Sequence, residues 1–209
     1  MVSASYAVAM TSQLHTRRPS RSGIRRPGSG LALGLPVVGL LAIMWLSEFV
    51  DQATPLDLDY YGIRPRTLGG LLGIPLAPLL HGSFAHLVAN AGAFLILGLA
   101  IAYTTRRFWT VTVAVTLIGG LGVWLLADPG TVTIGASGVV YGYGAFLVAW
   151  GLFTRRLLAI VVSVAVVLVY GGLVWGVLPS NPMVSWQGHL FGAVAGVLTA
   201  RWLSRRGRR

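Results

Sequence analysis

Six apolar stretches, each about 20 residues long, decide what this chain of 209 residues can fold into. A helix of that length covers about 30 Å, the thickness of the hydrocarbon core of a bilayer. Backbone amides inside lipid need partners within their own segment, so the stretches are expected to be helices rather than open strands. The sequence therefore predicts an all-α polytopic membrane protein, a bundle of six transmembrane helices. The stretches are Leu31–Val50, Gly82–Tyr103, Phe108–Ala127, Val132–Phe153, Leu157–Leu178 and Val184–Leu203.

Composition supports this class and excludes others. The chain is 55% hydrophobic and only 10% charged, whereas soluble domains carry roughly a quarter charged residues. Its net charge of +11 could suggest a nucleic-acid-binding protein, but the basic residues form short groups between apolar stretches rather than one folded face. We therefore expect no nucleic-acid partner. The absence of cysteine excludes disulfide, iron–sulfur and thiolate chemistry, and we expect neither a metal nor a cofactor.

The charges also predict the topology. All 16 basic residues are arginine, and 14 of them fall on one side of the predicted membrane, in the two tails and in the loops at Arg106–Arg107 and Arg155–Arg156. The other side receives Arg64, Arg66 and all five acids, which are Glu48, Asp51, Asp57, Asp59 and Asp128. By the positive-inside rule both termini are cytoplasmic, in a multi-pass protein of the plasma membrane. Residues 1–30 are predicted to be a disordered, arginine-rich tail, 31–203 the membrane domain, and 204–209 a basic tail.

One external loop is unusually long and apolar. It runs from Asp51 to His81, and its second half, Leu68–Leu80, is interrupted by glycine and proline. That half is too short to cross a bilayer and too apolar to lie in water. We expect a segment that is partly embedded in the membrane against the bundle.

Six polar side chains lie in or beside the apolar stretches: His81, His86, Asn90, Ser137, Tyr141 and His189. Taken singly, each is more often a hydrogen bond between helices than a functional group. However, four of them come from three helices that all enter from the external side. We place His86, Asn90, Ser137 and His189 at a common depth of roughly 5–15 Å below that surface. This convergence predicts a site that opens to the external face.

Spacing within the helices sharpens this prediction. His86 and Asn90 are four residues apart and share one helix face, as do Ser137 and Tyr141. Small residues that recur every fourth position allow two helix backbones to approach closely, and His189 lies in such a series, made by Gly188, Gly192 and Gly196. We expect this close approach of the helices to bring the hydroxyl of Ser137 within hydrogen-bond reach of His189. His189 would then be the adjacent base that a serine needs to act as a nucleophile.

Together, three motifs resemble those of the rhomboid family of intramembrane serine proteases, in its six-span bacterial form. They are His81-Gly-Ser-Phe-Ala-His86-Leu-Val-Ala-Asn90, Gly135-Ala-Ser137-Gly138-Val-Val-Tyr141 and Gly188-His189-Leu-Phe-Gly192-Ala-Val-Ala-Gly196. The resemblance implies a catalytic dyad of Ser137 and His189, with the oxyanion stabilised by His86, Asn90 and the backbone amide of Ser137. It further implies that Tyr141 packs on the ring of His189, that Gly135 and Gly138 support the site, and that His81 is structural.

The chain also departs from the family's pattern. Many members carry a Trp-Arg pair in the first external loop, whereas this loop reads Tyr61-Gly-Ile-Arg64-Pro-Arg66, so its anchoring is left open. The expected activity is cleavage of single-span membrane proteins in their transmembrane or membrane-proximal segments. A non-catalytic relative that binds or chaperones membrane proteins is the alternative, and a small-solute transporter is a weaker one because the polar residues stop in the outer half. The oligomeric state is left open.

Overall fold

The structure, a computed structural model, describes residues 29–180 and 184–206. The predicted disordered tail, residues 1–30, lies outside the described residues except for its last two. In the predicted basic tail, residues 204–206 continue the last helix instead of starting a tail.

Seven α-helices make up the described part of the chain, joined by short 3-10 segments and loops. Six of them are long and match the six apolar stretches, and a short seventh lies in the first external loop. In chain order they are α1 (Ser29–Ala53), α2 (Leu68–Leu76), α3 (Phe84–Thr105), α4 (Phe108–Leu126), α5 (Ser137–Thr154), α6 (Leu157–Tyr170) and α7 (Trp186–Arg206).

Five of the long segments are both long and apolar enough to cross a membrane, counted over the described residues: α1, α3, α4, α5, and α6 together with the 3-10 segment that follows it. Helix α7 has 21 residues but is less apolar, because it carries three arginines near its end and several glycines. It nevertheless packs against α4 and α5 inside the bundle. The all-α membrane bundle expected from the sequence is therefore confirmed, with α7 as its least apolar long helix.

Contact between glycines sets the packing of α5 against α7, the two helices at the centre of the bundle. A Cβ added to Gly192 would collide with the backbone of Gly138, and one added to Gly196 would collide with the carbonyl of Gly142. A Cβ on Gly119 of α4 would likewise lie 3.3 Å from the Cα of Gly192. Three backbones thus meet where a larger side chain has no room, as the glycine series of α7 predicts.

Two boundaries differ from the sequence prediction, and both differences affect the site. Helix α5 begins at Ser137 rather than near Val132, because the preceding residues are extended and Thr133 pairs with Ile63 through two backbone hydrogen bonds of 2.9 and 3.0 Å. Helix α6 ends at Tyr170, and a 3-10 segment, Gly171–Val177, continues the chain.

The first external loop is anchored to the end of α4. The guanidinium of Arg66 donates to the carbonyl of Leu125 at 2.8 Å, its backbone amide donates to the carbonyl of Trp124 at 3.0 Å, and the indole of Trp124 donates to the carbonyl of Thr67 at 2.8 Å. An arginine and a tryptophan therefore hold this loop, although they come from separate elements. The loop carries α2, whose Leu68 and Leu72 are exposed on its outer side, as expected of a segment partly embedded in lipid.

The glycine contact predicts a large difference between two glycine-to-alanine substitutions. Gly192→Ala is expected to destabilise the bundle by about 1–3 kcal/mol, because a methyl group there forces α5 and α7 apart. Gly92→Ala in α3 is the matched control, since nothing lies within 4 Å of the added carbon. Thermal unfolding of the purified proteins in detergent measures both effects, and equal melting temperatures would contradict the close contact.

Candidate active site

Ser137 is the first residue of α5. Each of the two residues before it, Gly135 and Ala136, is held by a hydrogen bond from its backbone amide. The amide of Gly135 donates to the carbonyl of Ala77 at 2.8 Å, and the amide of Ala136 donates to Nε2 of His81 at 3.3 Å. The amide of Ser137 has no hydrogen-bond partner among the described residues. It therefore points a free donor from the positive end of a helix, a position that favours a negative charge.

Gly135 brings His86 and Asn90 against the backbone beside Ser137. Its φ of +103° lies in the region that favours glycine. A Cβ at this position would lie 2.7 Å from Cε1 and 2.8 Å from Nε2 of His86, and 3.9 Å from Nδ2 of Asn90. The Asn90 side chain also donates to the carbonyl of His86 at 2.9 Å, which leaves it a second amide hydrogen. The structure thus gathers the three predicted oxyanion donors around one short segment.

His189 is buried, with 7% of its surface exposed, and is held on two sides. Its Nδ1 lies 2.8 Å from the carbonyl oxygen of Gly176. Because a carbonyl can only accept, Nδ1 must carry the hydrogen, and Nε2 is left as the basic nitrogen. The ring of Tyr141 stacks on the imidazole with centroids 3.9 Å apart and planes within 6°. This is the contact that the family resemblance implies.

Gly176 is a site residue that the sequence does not reveal. It lies in the 3-10 segment Gly171–Val177, and it must be small because a Cβ there would collide with the hydroxyl of Tyr141 and lie 3.2 Å from Nδ1 of His189. The only sequence signal for this residue is that it is a glycine in an apolar, glycine-containing stretch. Many glycines of this chain lie in such stretches, so the signal does not single out Gly176.

Ser137 and His189 are brought to neighbouring helix ends but are not hydrogen bonded to each other in the described part of the chain. Gly138 faces Gly188, so that a Cβ on Gly138 would lie 3.1 Å from the carbonyl oxygen of Gly188. Nucleophile–base contacts are often long without substrate, so the arrangement is compatible with a dyad that closes when a substrate is bound.

A cavity of about 40 Å³ adjoins the Ser137 side chain. That volume holds one or a few water molecules. Small and apolar residues of α4, α5 and the loop line most of it, including Val115, Gly119, Gly120, Ala77 and Val139. On its other side lie Thr133 and Ser185, whose hydroxyl oxygens are 3.3 Å apart.

A family model for the rhomboid domain matches residues 69–206. The chain belongs to the rhomboid family. Its relatives include the uncharacterized protein Rv1337 of Mycobacterium tuberculosis (strain ATCC 25618 / H37Rv), 41% identical over 198 residues, which cover 90% of this chain and 82% of the relative. Another is the uncharacterized protein ML1171 of Mycobacterium leprae (strain TN), 42% identical over 180 residues, which cover 82% of this chain and 71% of the relative.

No carboxylate contacts the histidine of this rhomboid family member among the described residues. The partner of Nδ1 is a backbone carbonyl. Glu48, one of the five acids counted on the external side, belongs to α1 and is buried at 1% exposure. The described residues also contain no group of three metal-ligating side chains. Among the described residues, the partner of His189 is thus a backbone carbonyl and not an acid.

His81 lies just before α3 and supports the segment that leads to Ser137. Its side chain is 1% exposed, its ring meets that of His86 edge-on with centroids 5.1 Å apart, and Nε2 accepts the amide of Ala136. Burial, with a smaller contribution from the neighbouring His86, lowers the pKa of His81 to about 4 against an opposing contribution from the backbone of Leu79. This member of the rhomboid family therefore keeps His81 neutral at pH 7, as the hydrogen bond from Ala136 requires.

The lowered pKa of His81 predicts a loss of stability in acid. Below pH 6.5 the unfolded chain binds a proton at this position and the folded chain does not, so the free energy of unfolding falls between pH 6.5 and about 4. Melting temperatures across this range should fall more steeply in the wild type than in His81→Gln, which lacks the titrating group. Parallel curves for the two proteins would contradict this assignment.

Proposed function

We propose that this protein is an intramembrane serine endopeptidase that cleaves membrane-protein substrates through Ser137 and His189. The observation that carries the proposal is the fixed orientation of His189, whose Nδ1 donates to Gly176 while Tyr141 covers one face of the ring. That orientation leaves Nε2 as the free base, and Ser137 lies at the neighbouring end of α5 with its oxyanion donors around Gly135.

In the first half of the proposed reaction, Nε2 of His189 takes the proton of the Ser137 hydroxyl as Oγ attacks the carbonyl carbon of a peptide bond. The tetrahedral intermediate carries its negative charge on the carbonyl oxygen, facing the amide of Ser137 and the side chains of His86 and Asn90. One donor of this kind is typically worth about 10²–10³ in rate. The imidazolium then protonates the departing amine, the C–N bond breaks and an acyl-enzyme remains.

In the second half, a water molecule gives a proton to Nε2 and attacks the ester carbon. The bond from the acyl carbon to Oγ breaks, the serine regains its proton from His189, and the product leaves with a new carboxylate. The cavity beside Ser137 has room for this water. The carbonyl of Gly176 has the orienting role that an aspartate has in a triad, because it accepts the hydrogen of Nδ1. Unlike an aspartate, it adds no buried negative charge.

The proposed setting is the plasma membrane, with both termini cytoplasmic and the site opening to the external face. The arginine distribution supports this orientation through the positive-inside rule. The substrates would be single-span membrane proteins. A helical substrate hides its carbonyls in hydrogen bonds, so segments with small or helix-breaking residues should be preferred.

A non-catalytic role in binding membrane proteins is the second candidate. The lack of a hydrogen bond between Ser137 and His189 in the described part of the chain favours it. The oriented base and the clustered oxyanion donors favour catalysis, because binding alone needs neither.

Labelling with a fluorophosphonate separates these two functions, because the probe reacts only with an activated serine. The purified wild type is expected to be labelled, and Ser137→Ala and His189→Ala are expected to lose the label, because the first lacks the nucleophile and the second lacks the base. Ser47→Ala in α1 is the matched control and should label like the wild type. Equal labelling of wild type and Ser137→Ala would overturn the catalytic assignment.

We expect the small cavity beside Ser137 to receive the substrate side chain just before the cleaved bond, and its size then predicts which peptide bonds are cleaved. A substrate with alanine just before the cleaved bond should react faster than the same substrate with phenylalanine there. The expected ratio of kcat/KM is roughly 10–100, since extra carbon atoms forced into a packed pocket cost about 1–3 kcal/mol. The same exchange several residues away serves as the control. Equal rates for alanine and phenylalanine would show that this cavity does not hold the substrate side chain.

A further inference from the structure

A second cavity, of about 240 Å³, lies at the arginine-rich end of the bundle, and nothing in the proposed reaction uses it. It is separated from Ser137 by the length of α5, about 27 Å for 18 residues. Its floor is the buried pair Leu203 and Ser204 of α7, and Arg107 and Arg156 line its exposed rim. We call it the arginine cavity.

Two turns with the same sequence and the same backbone conformation flank the arginine cavity. Each reads Thr-Arg-Arg, at 105–107 between α3 and α4 and at 154–156 between α5 and α6. The middle arginine is left-handed in both, with φ and ψ of 56° and 24° at Arg106 and of 55° and 24° at Arg155. Glycine or asparagine usually takes this position, because the left-handed conformation costs other residues roughly 1–2 kcal/mol. Both turns place their second arginine on the cavity rim.

The charge of the two rim arginines has no counterpart in the part of the chain that the structure describes. Within residues 29–180 and 184–206, no carboxylate pairs with Arg107 or Arg156, and the five acids of the chain all belong to its opposite end. The hydroxyls that line the cavity cannot compete for a ligand without giving up existing bonds, because each donates to a backbone carbonyl. Among the lining side chains, the guanidinium groups of Arg107 and Arg156 and the indole N–H of Trp150 are therefore the donors left for an occupant, and the planar fork of a guanidinium suits phosphate oxygens.

Helix ends of both signs meet at the arginine cavity. Arg107 and Arg156 are the N-cap residues of α4 and α6, neither of which has a side-chain cap, so each arginine adds its charge to the positive end of a helix dipole. The remaining lining residues come from the C-terminal turns of α3, α5 and α7, whose dipoles present their negative ends. An anion is therefore favoured at the arginine rim rather than on the floor of the cavity.

We propose that the arginine cavity binds the phosphate group of an anionic phospholipid. The site lies where the membrane-spanning helices end, at the level of lipid headgroups, and Trp150 contributes to its lining, as is common for tryptophan at the membrane interface. Exposed apolar side chains lie within a few residues of the rim arginines in the sequence, including Trp109, Leu152 and Leu157, and offer apolar surface for acyl chains. Basic pockets between membrane helices recognise such headgroups by the same chemistry.

Native mass spectrometry of the full-length protein tests this site with two lipids as probes. Protein from mixed micelles of phosphatidylglycerol and phosphatidylcholine is expected to retain one phosphatidylglycerol. In Arg107→Gln/Arg156→Gln the apparent affinity for phosphatidylglycerol should fall roughly 30-fold, since each arginine near an anionic headgroup contributes about fivefold. Arg201→Gln/Arg205→Gln is the control, because it removes the same charge from exposed positions outside the cavity and should bind as the wild type does.

A separate arm adds 10 mM inorganic phosphate to the same samples. Retention of phosphatidylglycerol would support a lipid site, whereas full displacement by phosphate would overturn the lipid assignment in favour of a soluble anion. Equal loss in the two double variants, or equal retention of both lipids by the wild type, would also overturn it. Melting temperatures in phosphatidylcholine alone should be the same for all three proteins, which shows that the variants fold. None of these readouts depends on peptidase activity.

Discussion

Direct backbone contact between α5 and α7 is the interaction on which the rest of the site depends. Gly138 and Gly142 of one helix meet Gly192 and Gly196 of the other so closely that a single methyl group on α7 has no room. Ser137 immediately precedes the first of these contacts, and His189 lies three residues before Gly192. The register that the glycines fix is therefore also the register of Ser137 and His189, the proposed nucleophile and base, because both lie within one turn of the same contact.

Patterns that repeat along the chain could be interpreted from the sequence alone. The length of the apolar stretches predicted the long helices, and the positions of the arginines predicted which loops lie on each side of the membrane. Residue spacing put His86 and Asn90 on one helix face and His189 in a glycine series. The rhomboid family follows from the same motifs, and the family model bears it out. These features need no information about how distant segments meet.

What the sequence could not show depends on contacts between distant segments. Helix α5 starts at Ser137 because Thr133, just before it, pairs with Ile63 in the first loop, 70 residues earlier. The loop is anchored by Arg66 and Trp124, which look unrelated when the chain is read in order. Burial of Glu48 likewise results from packing around the end of α1. A backbone carbonyl such as that of Gly176 leaves no mark in a sequence, since every residue has one.

The orientation of the base depends on an outer part of the bundle rather than on its core. Tyr141 belongs to α5 and is fixed with it, but Gly176 lies in the 3-10 segment that follows α6, and α6 buries only Ala159, Ser163 and Val166. Displacing this segment by a few ångströms would take the carbonyl away from Nδ1 while leaving the glycine contact of α5 and α7 intact. The two requirements of the proposed serine–histidine pair thus rest on different parts of the fold. The core fixes the relative positions of the two helices that carry the residues, and a peripheral segment selects which nitrogen of His189 carries the proton.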